Sequence, residues 1–252
     1  MSRVQVITHG DIVEIALARP PVNALDPALC RELRAALESA IVADARGIIL
    51  SGSAGIFSAG LDVPHLLGLG DDRDALVEAW QAFFAAARAI ATCPVPVAAA
   101  ITGHSPAGGC VLALCCDYRV MAEGDFRIGL NEVRVGLVAP EGIQRLMRRA
   151  VGTNCAERLL VSGEMVASDR ALHIGLVDEL AEADLVTVRA LAWMRELLSL
   201  PRDAVLQTRR IARADVVEAL QNEHIELDRF VDGWFEPGTQ AALRALVERL
   251  GK

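Results

Sequence analysis

The chain has 252 residues, 53% of them hydrophobic but only 4% aromatic, and a formal net charge of −8. That length suits one large domain, or a core with a small appendage, with an interior built mainly of Ala, Leu and Val. The acidic balance excludes a general nucleic-acid binder, which would carry a basic face, and no uninterrupted apolar run reaches the ~20 residues of a membrane-spanning helix.

In chain order, Val4 and Val6, then Ile12, Ile15 and Leu17 around "HGD", predict a β-hairpin. Asp26 followed by Pro27 reads as a helix cap with proline at the first helical position. Leu29, Leu33, Ala36, Leu37 and Ala40 then keep helical period to about residue 43. "RGIILSGS" is a short buried strand, "AGIFSAGLDVPHL" a loop, and the stretch from Asp74 to about Thr92 a helix. "CPVPVAAAITG" reads as a strand with its prolines confined to the start. The segment "PAGGCVLALCCD" at 106–117 opens a helix, "DYRVMAEG" is a strand, and "FRIGLNEVRVGLVAP" is irregular. From residue 140 the pattern is helical except for a strand at "GLVDEL" (175–180). Strands alternating with helices, then a run of helices, predict an α/β core with a helical C-terminal part.

The six cysteines, at 30, 93, 110, 115, 116 and 155, follow no C-x-x-C spacing, and adjacent Cys115 and Cys116 suit neither a disulfide framework nor a zinc site. Buried thiols in a reducing compartment follow. The opening "MSRVQVITHG" has neither an apolar signal core nor an Arg/Ser-rich leader, so the expectation is a cytoplasmic protein. "RLMRRAVG" at 145–152 is the best candidate for a local basic patch, and its plainer reading is a solvated helix face.

Two loops bear on chemistry. Ser58-Ala59-Gly60-Leu61-Asp62 and Pro106-Ala107-Gly108-Gly109 each put small residues at the mouth of a helix after a strand. Backbone N–H groups at such an entry lack intrahelical partners. Two sets aimed at one point would make an oxyanion hole for charge developing on a carbonyl oxygen. Taken alone, glycine at a strand-to-helix junction is more often a packing device than a catalytic one. Neither loop fits a P-loop or G-x-G-x-x-G phosphate cradle, and "GHSPAGG" holds no G-x-S-x-G elbow.

"VNALD", "IFSAGLDV", "ITGHSPAGGCVLALCCDYRVMA" and "GLNEVRVGLVAP", in this order and spacing, resemble the crotonase (enoyl-CoA hydratase/isomerase) superfamily over essentially the whole chain. "PAGGC", "CDYR" and "IGLNE" followed by "GLVAP" resemble its mitochondrial-type Δ3,Δ2-enoyl-CoA isomerases more than its hydratases. The resemblance implies the ClpP/crotonase-like spiral of β-β-α repeats over residues 1–195, with residues 196–252 as a helical trimerisation and lid region. It implies a homotrimer or dimer of trimers and an acyl-CoA thioester substrate. No metal or separate cofactor is implied, since coenzyme A belongs to the substrate. The amides of Leu61 and Gly108 would grip the thioester oxygen. Ser58, Ala59, Gly60, Leu61 and Asp62 would lie along the CoA moiety, with "PVNAL" near its adenine end.

The family's hydratases carry one glutamate where this chain has Val111 and a second that aligns with Glu132. Adding water calls for both; moving a double bond needs one base that takes a proton from C2 and returns it at C4. Glu132, flanked by Leu130, Val133 and Val135, would sit in an apolar wall that raises its basicity. The resemblance thus implies conversion of 3-enoyl-CoA to 2-trans-enoyl-CoA, with Asn131 orienting carboxylate or substrate. A hydratase, an acyl-CoA hydrolase, a decarboxylase and a catalytically silent acyl-CoA binder remain alternatives.

Other polar residues read more simply. His104 suits a hydrogen bond within the fold, His65 a pocket edge, and Asp117 the charged end of a buried helix. Glu141 reads as a first-turn acid that could also reach the acyl pocket. Trp80, Trp193 and Trp234 read as core or interface. In the last helix, Leu243, Leu246, Val247 and Leu250 form an apolar stripe, and Arg249 or Lys252 could meet CoA phosphates or simply be surface charges.

Overall fold

The computed structural model describes residues 2–249 and Gly251; Leu250 and Lys252, assigned above to the apolar stripe and to CoA phosphates, lie outside the described residues. The predicted hairpin is β1 (Val4–His9) paired antiparallel with β2 (Ile12–Leu17). Asp26 then accepts a hydrogen bond from the Leu29 N–H at 2.7 Å and starts α1 (Pro27–Val42), whose buried face carries the expected Leu29, Leu33, Ala36, Leu37 and Ala40. β3 (Gly47–Ser51) follows.

The stretch read as a plain loop contains a two-residue strand, β4 (Gly55–Ile56), and a short helix, α2 (Val63–Gly68). Two residues are too few to show an alternation, and α2 owes its start to Asp62, which accepts from the His65 N–H at 3.0 Å. Next come α3 (Arg73–Ala91), β5 (Val97–Ile101), β6 (Gly103–Pro106), α4 (Gly108–Leu114), β7 (Tyr118–Ala122) and β8 (Arg127–Gly129). A 3-10 turn at Glu132–Val135 leads to α5 (Glu141–Val151), α6 (Thr153–Ser162), β9 (Val166–Ala167) and α7 (Ser168–His173). β10 (Glu179–Ala181) starts later than its apolar run suggested, because the Leu176 and Val177 amides turn back to the Ala171 carbonyl.

Six strands form one sheet in the order β1-β2-β3-β5-β7-β10, parallel except for the hairpin, and four form another in the order β4-β6-β8-β9. Each circuit lays one strand in each sheet: β3 then β4, β5 then β6, β7 then β8. That repetition is the expected spiral. β5, with sequence VAAAI, is buried on both faces, as a central parallel strand should be. Its Ala98 and Ala100 share a cluster with Ala190 and Met194, while Val97, Ala99 and Ile101 join the main core.

The remaining helices are α8 (Val186–Leu198), α9 (Arg202–Ala212), α10 (Ala214–Ala219), α11 (Asn222–Ile225), α12 (Leu227–Phe235) and α13 (Pro237–Arg249). α8 runs through the expected division at 195/196. α9 buries none of its own residues and is held by Arg209, which donates to both oxygens of Asp117 at 2.7 and 2.8 Å. α12 packs on α3, and α13 packs on α2 and the 3-10 turn. Phe230, Trp234 and Leu243 thereby join the main core, so the helical tail helps to wall the site.

Candidate active site

The first loop is shaped by the "VNAL" segment. Ser58 Oγ donates to the Asn23 carbonyl at 2.8 Å and accepts from the Gly60 N–H at 3.2 Å, while Asn23 Nδ2 donates to the Phe57 carbonyl at 3.1 Å. The Leu25 N–H donates to the Gly60 carbonyl at 2.8 Å, and the Asp62 N–H to the Leu25 carbonyl at 3.2 Å. This parallel bridge leaves the Leu61 N–H directed away from Leu25.

The second loop is held by the Ala107 N–H, which donates to the Gly129 carbonyl of β8 at 2.8 Å. Ala107 has φ 46° and ψ −116°, a backbone that an L side chain rarely adopts. Gly108 then begins α4. Among the described residues neither the Leu61 N–H nor the Gly108 N–H donates to a protein acceptor.

The two loops abut. Gly60 has φ +80°, and a β-carbon on it would lie 3.1 Å from both the Pro106 carbonyl and the Ala107 methyl. A β-carbon on Gly109 would come within 2.8 Å of the Ser58 carbonyl. Glycine at these two positions is what lets the amide-bearing backbones meet.

A cavity of about 310 Å³ opens beside them. Leu61, Gly108, Val111, Asn131 and Glu132 border it, as does Ala59. Ser58, Gly60 and Asp62 do not. The Ser58 hydroxyl is committed to Asn23 and Gly60, and Asp62 caps α2 and accepts from Arg19 Nη2 at 2.6 Å. The Ser58 and Asp62 side chains are thus spent on the shape of the loop.

Glu132 begins the 3-10 turn, which closes on Gly136 in the left-handed region. Thr239 of α13 donates from Oγ1 to the Gly136 carbonyl at 3.0 Å, and Arg134 turns away to donate to the Gly163 carbonyl at 2.5 Å. The carboxyl keeps some accessible area because it borders the cavity, yet protein atoms crowd it. Burial pushes its pKa up to about 7, opposed only by its own backbone N–H. The Asn131 side chain makes no hydrogen bond among the described residues.

Glu141 does not border this cavity. It is gripped by Arg145 at 2.6 Å and Arg148 at 2.9 Å, with His224 at 3.5 Å. Burial raises its pKa, but these cations outweigh that effect and hold it below the usual carboxylate range. The basic stretch at 145–152 is likewise spent internally, since Arg149 pairs with Asp215. His104 accepts from the Arg127 N–H at 3.2 Å and stacks edge-on against Phe126, a role within the fold. Arg249 ends α13, exposed.

Sequence reasoning missed the cavity's far wall. Trp80, Phe83 and Phe84 of α3 meet Phe230 and Trp234 of α12 there, with Leu243 of α13 beside them. Trp80 and Trp234 are buried as expected, but they also line the cavity; Trp193 instead stacks on Tyr118. The available signal was the i, i+3, i+4 spacing of Trp80, Phe83 and Phe84 in a chain with few aromatics.

The two-sheet spiral sets two abutting loops with free amides and one crowded carboxyl against a single apolar cavity. The family model for enoyl-CoA hydratase/isomerase matches residues 8–250, and the chain belongs to that family. It is 34% identical to mitochondrial enoyl-CoA delta isomerase 1 of Mus musculus, covering 98% of this chain and 87% of that protein. It is 36% identical to a probable enoyl-CoA hydratase of Mycobacterium tuberculosis, covering 85% and 81%. The crystal structure of human mitochondrial delta3-delta2-enoyl-CoA isomerase superposes with TM-score 0.93 at 30% identity, covering 99% of this chain and 98% of that one.

Proposed function

We propose that this enzyme isomerises 3-enoyl-CoA to 2-trans-enoyl-CoA. The observation that carries the reading is that, among the described residues, Glu132 is the only carboxylate bordering the cavity, and Val111 of α4 borders it too. With the thioester oxygen on the Leu61 and Gly108 amides, the electron pair released from the C2–H bond spreads onto that oxygen as a dienolate. The proton rests on Glu132. Its return at C4 re-forms the thioester carbonyl and leaves the double bond between C2 and C3. A pKa near 7 suits a group that must both take and give a proton at neutral pH. The reading calls for no metal or redox group, because charge and proton are both provided for.

The decisive comparison is isomerisation of a 3-enoyl-CoA beside hydration of crotonyl-CoA, with wild type and Glu132→Gln. The variant should lose nearly all isomerisation and still bind CoA esters; near-normal turnover would overturn the assignment. Efficient hydration would favour the second reading, a hydratase, which the similarity to the probable mycobacterial hydratase keeps in play. Val111→Ala should leave isomerisation largely intact.

The same reading includes a homotrimer or dimer of trimers. It is supported by the unburied α9, where Ile211 is 73% exposed, and is tested by the mass in solution. It also includes a cytoplasmic location, supported by six unpaired cysteines and tested by fractionation.

A further inference from the structure

Three of the four sheet edges in this fold are blunted. β10, at one end of the larger sheet, has three residues and opens with Glu179, and β4 and β9, the ends of the smaller sheet, have two residues each. β1, at the other end of the larger sheet, runs for six residues, and from Val4 to Thr8 it holds neither a charge nor a proline. A long uncharged edge is a template for a further strand.

The hairpin ladder fixes which backbone groups are free. The Ala18 N–H donates to the Arg3 carbonyl at 2.8 Å, so the backbone groups of Arg3 face β2, and by alternation those of Gln5, Ile7 and His9 do as well. The amides and carbonyls of Val6 and Thr8 therefore point out of the sheet, where no strand follows among the described residues. The Val4 carbonyl points outward too, but it already accepts from the Ser2 hydroxyl at 2.8 Å. The side chains are left open in the same place. Val6 is 57% exposed and Ile7 42%, one on each face of the strand, while Val4 joins the core. α8 packs farther in, on β3, β5 and β7.

We propose that β1 is an interaction surface for a second copy of this chain: two β1 strands pair antiparallel across a two-fold axis at Ile7, carrying the larger sheet from one copy into the other. In this register Val6 of each copy exchanges both backbone hydrogen bonds with Thr8 of the other, and the two Ile7 side chains lie opposite each other. Arg3 comes level with Asp11 of the other copy, opposite in charge. Moving the axis to Val6 would set Arg3 against His9 instead and ask the bonded Val4 carbonyl to take another donor. No residue of β1 borders the acyl cavity, so the contact is independent of the acyl-CoA reading. In the dimer of trimers proposed above, it joins one trimer to the other.

Pairing across a two-fold axis demands an even number of copies. The mass of the wild-type protein in solution should correspond to an even number of chains, and Thr8→Pro should halve it. Proline at Thr8 removes an outward N–H and leaves the ladder to β2 intact. An unchanged mass in Thr8→Pro, or an odd-numbered wild-type assembly, would overturn the proposal; a wild-type mass of three chains would do so while leaving the trimer standing. Crosslinking supplies a second measurement that does not depend on the proline variant. Ile7→Cys should form an interchain disulfide on mild oxidation, because directly opposed residues bring their β-carbons to about 5 Å. Val6→Cys, set opposite Thr8, should not, and wild type with its own unpaired cysteines is the control. Absence of the Ile7→Cys crosslink, or an equal one in Val6→Cys, would also overturn it.

Discussion

Glu132 and Glu141 stand nine positions apart, and the fold treats them in opposite ways. Glu132 sits at the head of a 3-10 turn against an apolar cavity with no cation among the described residues to hold its charge, and its pKa is pushed up to about 7. Glu141 opens α5 within reach of Arg145, Arg148 and His224, and is held in its charged form. On the proposed reading, a carboxylate becomes a useful base through what its surroundings withhold. The one surrounded by partners is fixed as a structural ion.

The sharpest way to break this contrast is to neutralise each acid in turn. Glu132→Gln should lower kcat for 3-enoyl-CoA isomerisation by about 10²–10⁴-fold, the usual worth of a positioned acid or base. Glu141→Gln should change it by less than about threefold; a comparable loss there, read in the same steady-state assay, would erase the distinction. Next in size is the oxyanion pair. Gly109→Ala would drive a methyl into the Ser58 carbonyl and part the loops, so kcat should fall by up to about 10²–10³-fold, as when one donor is lost. Structure by circular dichroism should stay near wild type.

The pH profile sharpens the contrast further. With Glu132 as the proposed base, only its ionised form accepts the C2 proton, so kcat/KM should rise about tenfold per pH unit below roughly 7 and level off above it. A limb near pH 4–5 would mean the carboxyl is solvated after all.

The smallest effect is on stability. A carboxyl whose folded pKa is raised holds its proton longer in the native state, so its contribution falls as pH rises from about 4.5 to about 7 and is constant beyond. Glu132→Gln should therefore stabilise the fold by about 1–3 kcal/mol at pH 8 and lose most of that advantage by pH 5, as read by denaturant titration. Glu141→Gln should instead cost ~0.5–1 kcal/mol at pH 8, because a carboxyl two-fifths exposed is partly screened from its arginines.

Much of the reacting end was legible in the sequence because it is local. Asp26-Pro27 marks a helix start, glycines mark the two loops, and the absent acid at Val111 is read from one position. The second sheet was not legible, since β4 and β9 have two residues each and three-residue β8 is little longer. Nor was the far wall of the cavity. It joins Trp80 to Phe230 and Leu243, whose proximity depends on how α12 and α13 return over α3, and no local period encodes that. Ser58 and Asp62, inside the first loop's motif, have side chains committed to Asn23, Gly60, His65 and Arg19, long-range and local partners that the motif alone does not name.

Ala107 carries a consequence of its own. The chain keeps a methyl group where glycine would relieve an unfavourable backbone, and that methyl rests against Gly60 on the opposite loop. It works as a shim, a fixed spacer of one carbon between two surfaces that would otherwise slide. Replacing it with glycine would ease the local strain yet let the gap between the two donors drift. On the proposed reading, the spacing of the two oxygen-gripping amides would then rest on the smallest side chain that can hold two loops apart.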